Sequence, residues 1–187
     1  MSTSAIKPEF EATLKNLQAA FNGESNAHAK YTVFAKKADA EGYGQVASLF
    51  RAAARAEQIH AAKHAAVIRK LGGTPEAKIE TPAVQATGEN LKVAIAGEEY
   101  ERDVMYPEFI REAEAKNNFA AVRTFQGALA AEKEHARMYK EALATLEKKI
   151  AKTSYYVCSV CGFTVEKITF DRCPICNHSK EQFETIN

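Results

Sequence analysis

Through the first 150 positions the apolar residues recur every three to four places, the spacing of a helix face packed on a core. One stripe runs Phe10, Leu14, Leu17, Phe21, Tyr31 and Phe34, and a second Val46, Phe50, Ala53, His64, Ile68 and Leu71. A third takes Leu91, Ile95, Met105 and Phe109, and a fourth Phe119, Val122, Phe125, Leu129, Leu143 and Leu146. The punctuation between the stripes predicts four helices. After a frayed leader, Pro8 opens the first, which runs to about residue 39. Ala40-Glu41-Gly42-Tyr43-Gly44 makes a short turn, so the second, about 43–71, is its antiparallel neighbour. Gly72-Gly73-Thr74-Pro75 stops that helix. A third is expected over about 88–115, disturbed at Met105-Tyr106-Pro107, where a proline removes a ladder bond. Lys116-Asn117-Asn118 then turns into a fourth, about 119–150. The connection from Gly72 to about Ala86 is long. A 29-residue helix measures about 43 Å, and 15 extended residues reach about 50 Å. That is enough to run back along the bundle, giving the single long crossover of a ferritin-like topology.

Two of the stripes are interrupted by the wrong kind of residue. The fourth, continued through its middle, lands on Glu132 and His135. Residues three apart share a helix face, so both can reach one ion. A carboxylate buried without a partner costs several kcal/mol or neutralises itself, so this helix is built around a cation. The same words occur earlier: Ala56-Glu57-Gln58-Ile59-His60-Ala61 repeats the pattern of Ala131-Glu132-Lys133-Glu134-His135-Ala136. Two Glu-x-x-His helices with a lone Glu from each of two others form the di-iron or di-manganese carboxylate constellation of helical bundles. Glu24 and Glu98 supply the lone carboxylates, lying on the first and third stripes, 33 and 34 residues before Glu57 and Glu132. The half-chains match in order, an internal repeat of two helical hairpins.

After Thr153 the helical period disappears. Tyr155, Tyr156, Val157, Phe163, Val165, Ile168 and Phe170 favour strands around turns. The expected division is a ferritin-like bundle over 1–151 and a small second domain over 152–187, too short to stand on an apolar core alone. All four cysteines fall there, as Cys158-x-x-Cys161 and Cys173-x-x-Cys176. Four thiolates suit either zinc or a single iron. Spacing does not separate the two ions; a one-electron centre beside a two-electron site favours iron.

Composition narrows the classes. The formal charge is +1 with 26% charged residues, which leaves no electrostatic footprint for nucleic acid. No apolar run approaches the roughly 18 residues that span a bilayer, and Met1 to Phe10 lacks the layout of a signal peptide. A cytoplasmic protein with no membrane partner is the expectation.

Taken together, Glu24 with Tyr31, Glu57-x-x-His60, Gly97-Glu98-x-x-Glu101 followed by Met105-Tyr106-Pro107, Glu132-x-x-His135 and the two terminal cysteine knuckles resemble the rubrerythrin family over essentially the whole chain. The resemblance implies a non-haem di-iron peroxidase with a ferritin-like bundle and a rubredoxin-like Fe(Cys)4 domain. It implies hydrogen peroxide as substrate and a rubredoxin or an NAD(P)H-dependent reductase as redox partner. A head-to-tail homodimer is implied too, with one chain's rubredoxin iron near the other chain's di-iron site. By the same resemblance Glu57 and Glu132 bridge the irons, Glu24 and Glu98 are terminal ligands, and His135 is a permanent ligand. Glu101 and His60 are the pair that exchanges with oxidation state, while Tyr31 and Tyr106 hydrogen-bond the ligand carboxylates. Cys158, Cys161, Cys173 and Cys176 hold the single iron. Two Fe(II) or two Fe(III) nearly offset five converging carboxylates. Among the remaining candidates, His28 and His64 read as structural or exposed, His178 as solvent-facing, Glu99, Glu134 and Arg102 as solvated, and Met105 as core filler.

Two other functions compete. One is ferroxidation and iron detoxification, since the bundle is ferritin-like; an electron-accepting tail argues against it. The other is a zinc-ribbon interaction module on a structural bundle, which five inward glutamates oppose.

Overall fold

The computed structural model describes residues 8–187, so the expected leader at residues 1–7 lies outside the described residues. A 3-10 turn at Pro8–Phe10 leads into α1 (Glu11–Ala40), and α2 (Gly44–Lys70) returns beside it along its length. Alanines at 20, 27, 35 and 38 on α1 and at 47, 52, 53 and 56 on α2 are buried. Such small side chains let the two axes approach closely. Gly72, at a φ of 86°, closes α2 in the left-handed conformation that glycine adopts freely.

Residues 73–86 form neither helix nor strand and cross back along α1 as expected. The strap is pinned by polar side chains of α1: Asn22 and Asn26 accept from the Lys78 and Glu80 amides at 2.9 and 2.8 Å. Asn26 also donates to the Lys78 carbonyl at 2.9 Å.

The third expected helix is three pieces: α3 (Thr87–Tyr100), one π turn (Glu101–Met105) and α4 (Tyr106–Ala115). The disturbance precedes the proline instead of centring on it. Pro107 has no N–H to give, and the wider turn before it absorbs the missing ladder bond without ending the rod. Asn118 caps α5 (Phe119–Ala144), accepting from the Ala121 amide at 3.2 Å. Two expectations about this last helix need correction. It stops at Ala144, short of residue 150, and passes through a 3-10 turn to Lys149 at a φ of 45°. Phe119, which begins the apolar stripe, is 61% exposed, although Ala121 and Val122 of the same turn are buried.

Two apolar clusters fill the bundle. Tyr31, Phe34, Leu49, Phe50, Leu91 and Tyr139 anchor one, and Leu17, Ile68, Tyr106, Val122 and Phe125 the other. On α1 the change from one cluster to the other falls between Ala20 and Ala27; on α5 it falls between Ala128 and Met138. Glu24, Glu132 and His135 occupy those gaps, so a buried polar layer sits between two oily ones.

Past the 3-10 turn, β1 (Tyr155–Cys158) pairs antiparallel with both β2 (Thr164–Val165) and β3 (Phe183–Ile186), in the order β2-β1-β3. This sheet is seated on its own bundle. Arg55 of α2 donates twice to Glu184 of β3, at 2.7 and 2.8 Å, and Arg137 of α5 pairs with Glu166 at 2.9 Å.

Candidate metal centres

Helical spacing places each polar residue of the buried layer. Glu24 comes from α1, Glu57 and His60 from α2, Glu98 from α3, and Glu132 and His135 from α5, all of them buried. Their donor atoms form two overlapping groups, each spanning no more than 4.8 Å: Glu24, Glu57, His60 and Glu132, and Glu57, Glu98, Glu132 and His135. Glu57 and Glu132 are common to both. His60 Nδ1 stands 2.9 Å from Glu57 and 3.3 Å from Glu132, and His135 Nδ1 stands 2.9 Å from Glu132 and 3.4 Å from Glu57.

The protein's own atoms do not satisfy this layer. Glu24 Oε2, Glu57 Oε1, Glu98 Oε2, both oxygens of Glu132 and His135 Nδ1 are buried without a hydrogen-bond partner among the described residues. An orphaned buried acceptor costs about 1–3 kcal/mol, more when charged. Such atoms converging on one pocket fit a pair of cations, and oxygen-rich ligation with imidazole suits iron or manganese.

Electrostatics agree. Without metal, burial and then the neighbouring Glu57, Glu101 and Glu132 carboxylates raise Glu24 well above the usual carboxylate range. Burial, ahead of the neighbouring carboxylates, lifts Glu98 to about 8. Burial alone would depress His60, but the carboxylates of Glu132 and Glu57 overcome it and lift the imidazole to about 10. The layer holds protons where it would otherwise hold metal.

Two tyrosines tie the outer carboxylates crosswise. Tyr31 of α1 donates to Glu98 Oε1 at 2.6 Å, and Tyr106 of α4 donates to Glu24 Oε1. Glu101, on the π turn, lies outside both donor groups. Its carboxylate rests against α1 at Gly23, where a Cβ would sit 3.8 Å from Oε1. Burial and then the Glu98 charge hold it well above the usual range. The arrangement therefore has His60 in and Glu101 out. Arg102 faces outward, paired with Asp103 and Glu99. His178 is exposed, and His28 contacts the Ala54 carbonyl at 2.7 Å.

The four cysteines converge as well. Cys158 and Cys176 sulfurs are 3.7 Å apart, as are Cys161 and Cys173, and none is in a disulfide. One ligand atom from each falls within the same 4.8 Å limit, a set that fits one tetrahedral ion.

The seam between the two centres was not legible in the sequence. Gly162, at a φ of 80°, turns the first cysteine knuckle directly onto His60 Nε2. Thr164 Oγ1 donates to the Gly162 carbonyl at 3.0 Å, so it accepts from His135 Nε2–H at 3.1 Å. That bond leaves His135 Nδ1 as the lone-pair nitrogen facing the carboxylates. The knuckle at this place is the chain's own. Beside the seam is a cavity of about 430 Å³ bounded by His60, Lys63, Arg123, Thr124, Cys161 and Cys176. His64 was also missed as part of the site. It is fully buried, and its spacing of four from His60 is the signal that placed it on the same face.

Comparison with known proteins follows the same two-part division. The rubrerythrin family model matches residues 15–143, and the model of the rubrerythrin rubredoxin-like domain matches residues 156–184. The chain is 39% identical over 173 residues to nigerythrin of Nitratidesulfovibrio vulgaris, covering 92% of this chain and 85% of that protein. It is 35% identical over 175 residues to rubrerythrin-2 of Clostridium acetobutylicum, covering 91% and 94%. The structure of fully reduced nigerythrin superposes with a TM-score of 0.85 at 38% identity, over 92% of this chain and 86% of that one. A bacterioferritin from Desulfovibrio desulfuricans, 22% identical, shares the bundle fold with a TM-score of 0.69 over 75% of this chain and 82% of that one.

Proposed function

The chain belongs to the rubrerythrin family, an iron-binding family with a di-iron bundle and a rubredoxin-like domain, and from that premise we propose that it is a peroxidase reducing hydrogen peroxide to water. The balance is H2O2 + 2 e⁻ + 2 H⁺ → 2 H2O. In this reading Glu24, Glu57, His60, Glu98, Glu101, Glu132 and His135 hold two irons, and Cys158, Cys161, Cys173 and Cys176 hold a third. The iron pair supplies the two electrons and the Lewis acidity when bound.

The chain's residues do the rest. The two apolar clusters keep bulk water from the carboxylate layer. Glu101, outside the donor groups and with a strong hold on its proton, is the group placed to carry protons while His60 occupies the ligand position. Tyr31 and Tyr106 steady Glu98 and Glu24. Electrons enter singly through the cysteine centre from an NAD(P)H-dependent reductase or a rubredoxin. A cytoplasmic setting and a homodimer belong to this reading. No described helix is long and apolar enough to cross a membrane.

The observation that carries the proposal is the seat of the cysteine knuckle on His60. An iron-storage protein has no use for an electron inlet in contact with its di-iron site. The test is to reduce the protein anaerobically, mix it rapidly with hydrogen peroxide and follow the Fe(Cys)4 colour. Rapid return in proportion to peroxide supports the peroxidase. Rapid return with oxygen alone refutes it in favour of a ferroxidase.

A further inference from the structure

Of the two outer carboxylates, Glu24 has the longer support. Tyr106 donates to Glu24 Oε1, His64 Nε2 stands 3.2 Å from the Tyr106 oxygen, and Thr124 Oγ1 stands 3.1 Å from His64 Nδ1. The proton on each link can be assigned. A carboxylate serving as a metal ligand is acceptor-only, so Tyr106 must donate to it. The Tyr106 oxygen then accepts, which puts the ring proton of His64 on Nε2. Nδ1 is left with a lone pair, and the Thr124 hydroxyl donates to it. The chain runs one way, Thr124 to His64 to Tyr106 to Glu24, from the wall of the 430 Å³ cavity to the metal layer.

We propose that His64 and Thr124 are positioning residues that fix which oxygen Glu24 presents to its ion. Tyr106 engages Oε1, and Oε2 is the buried atom with no partner. Were the phenol free to turn, the carboxylate could rotate and offer either oxygen. The ring of His64 is itself clamped, 5.4 Å from Phe125 and 6.0 Å from Tyr106 between centroids. The other arm is shorter. Tyr31 donates to Glu98 at 2.6 Å, and its ring packs on Phe34, Phe50 and Tyr139. Tyr106 packs on Phe109 and Phe125 in the same way; what its arm adds is the further hydrogen-bond partner, His64, on the phenol oxygen. The longer arm belongs to the donor group containing His60, the ligand that exchanges in the proposed reaction. A fixed Glu24 would keep that ion anchored while its other ligand changes.

This inference rests on Glu24 being a ligand, and the test separates the two. Thr124→Val keeps the shape and removes the hydroxyl; Thr124→Ser restores it; Glu24→Ala removes the ligand. Iron-loaded protein is challenged with a chelator, and iron release from the carboxylate site is timed. Thr124→Val should release iron faster, by less than the roughly 10–100-fold cost of losing a partner bonded directly to a ligand, because His64 and Tyr106 stand between it and Glu24. Thr124→Ser should release it at the wild-type rate, and the metal-free melting temperatures of wild type, Thr124→Val and Thr124→Ser should agree. Iron held equally well by Thr124→Val, or lost equally fast from Thr124→Ser, overturns the positioning role. Full iron retention by Glu24→Ala overturns the ligand assignment beneath it.

Discussion

Replacing Gly162 with alanine separates the strength of the knuckle from the strength of its seat. At a φ of 80° a side chain costs about 1–2 kcal/mol, a strain borne by the tail whether or not it touches the bundle. The seat adds a second penalty. The new Cβ would lie 2.2 Å from His60 Nε2, 2.6 Å from its Cδ2 and 3.2 Å from the Ala56 carbonyl oxygen. His60 cannot swing clear without leaving Glu57 and Glu132, at 2.9 and 3.3 Å, and the Ala56 carbonyl is helix backbone. The tail must lift. Overpacking of this kind costs about 1–3 kcal/mol, which lowers the docking equilibrium constant by about 5- to 150-fold. Reduced, iron-loaded variant mixed with peroxide should therefore recover its Fe(Cys)4 colour more slowly, by up to that factor, with an unchanged absorption spectrum. Gly42→Ala is the matched control, because Gly42 has the same φ of 80° and nothing within 4 Å of the added Cβ. An unchanged rate in Gly162→Ala, with the spectrum intact, would refute electron passage across this seam.

Other outcomes follow from the same charges and ligands. In metal-free protein Glu98 titrates near 8 and His60 near 10, both above their unfolded values, so the folded state binds more protons than the unfolded one. Stability is then fully present below about pH 4.5 for Glu98 and about pH 6.5 for His60, and is lost as pH rises through the folded values. Each group removes about 1.4 kcal/mol per pH unit within its window. Melting temperatures of metal-free protein should fall steadily from pH 5 to 9; a flat or rising profile would contradict the charge arrangement. Cys158→Ser removes one of four ligands from a tail too small to fold on its core. Limited proteolysis should then digest residues after Thr153 while the helical circular dichroism survives, and a protease-resistant tail would count against a metal-dependent fold.

Much of the site was written in local pattern. Glu57-x-x-His60 and Glu132-x-x-His135 needed only the 3.6-residue period to face one ion, and Glu24 and Glu98 needed only their place on an apolar stripe. The tyrosine pairings, Tyr31 to Glu98 and Tyr106 to Glu24, join residues 67 and 82 positions apart and came from family likeness, not from spacing. His64 was visible as a residue on the ligand face, but its partners Thr124 and Tyr106 lie on other helices. Phe119 shows the opposite error: it continues the period perfectly and ends in solvent, because periodicity does not say which positions a neighbour covers.

The sequence by itself determined the elements, the repeat and the donor set, since these depend on residues a few positions apart along one helix or one knuckle. Tertiary structure alone decided which oxygen of each carboxylate is engaged, that His60 is in and Glu101 out, and that the π turn falls before Pro107. It also decided that the tail lies on its own bundle, with Gly162 against His60 and Thr164 against His135. Those contacts join segments roughly 30 to 100 positions apart, and their energies depend on the closeness of surfaces that no local pattern encodes.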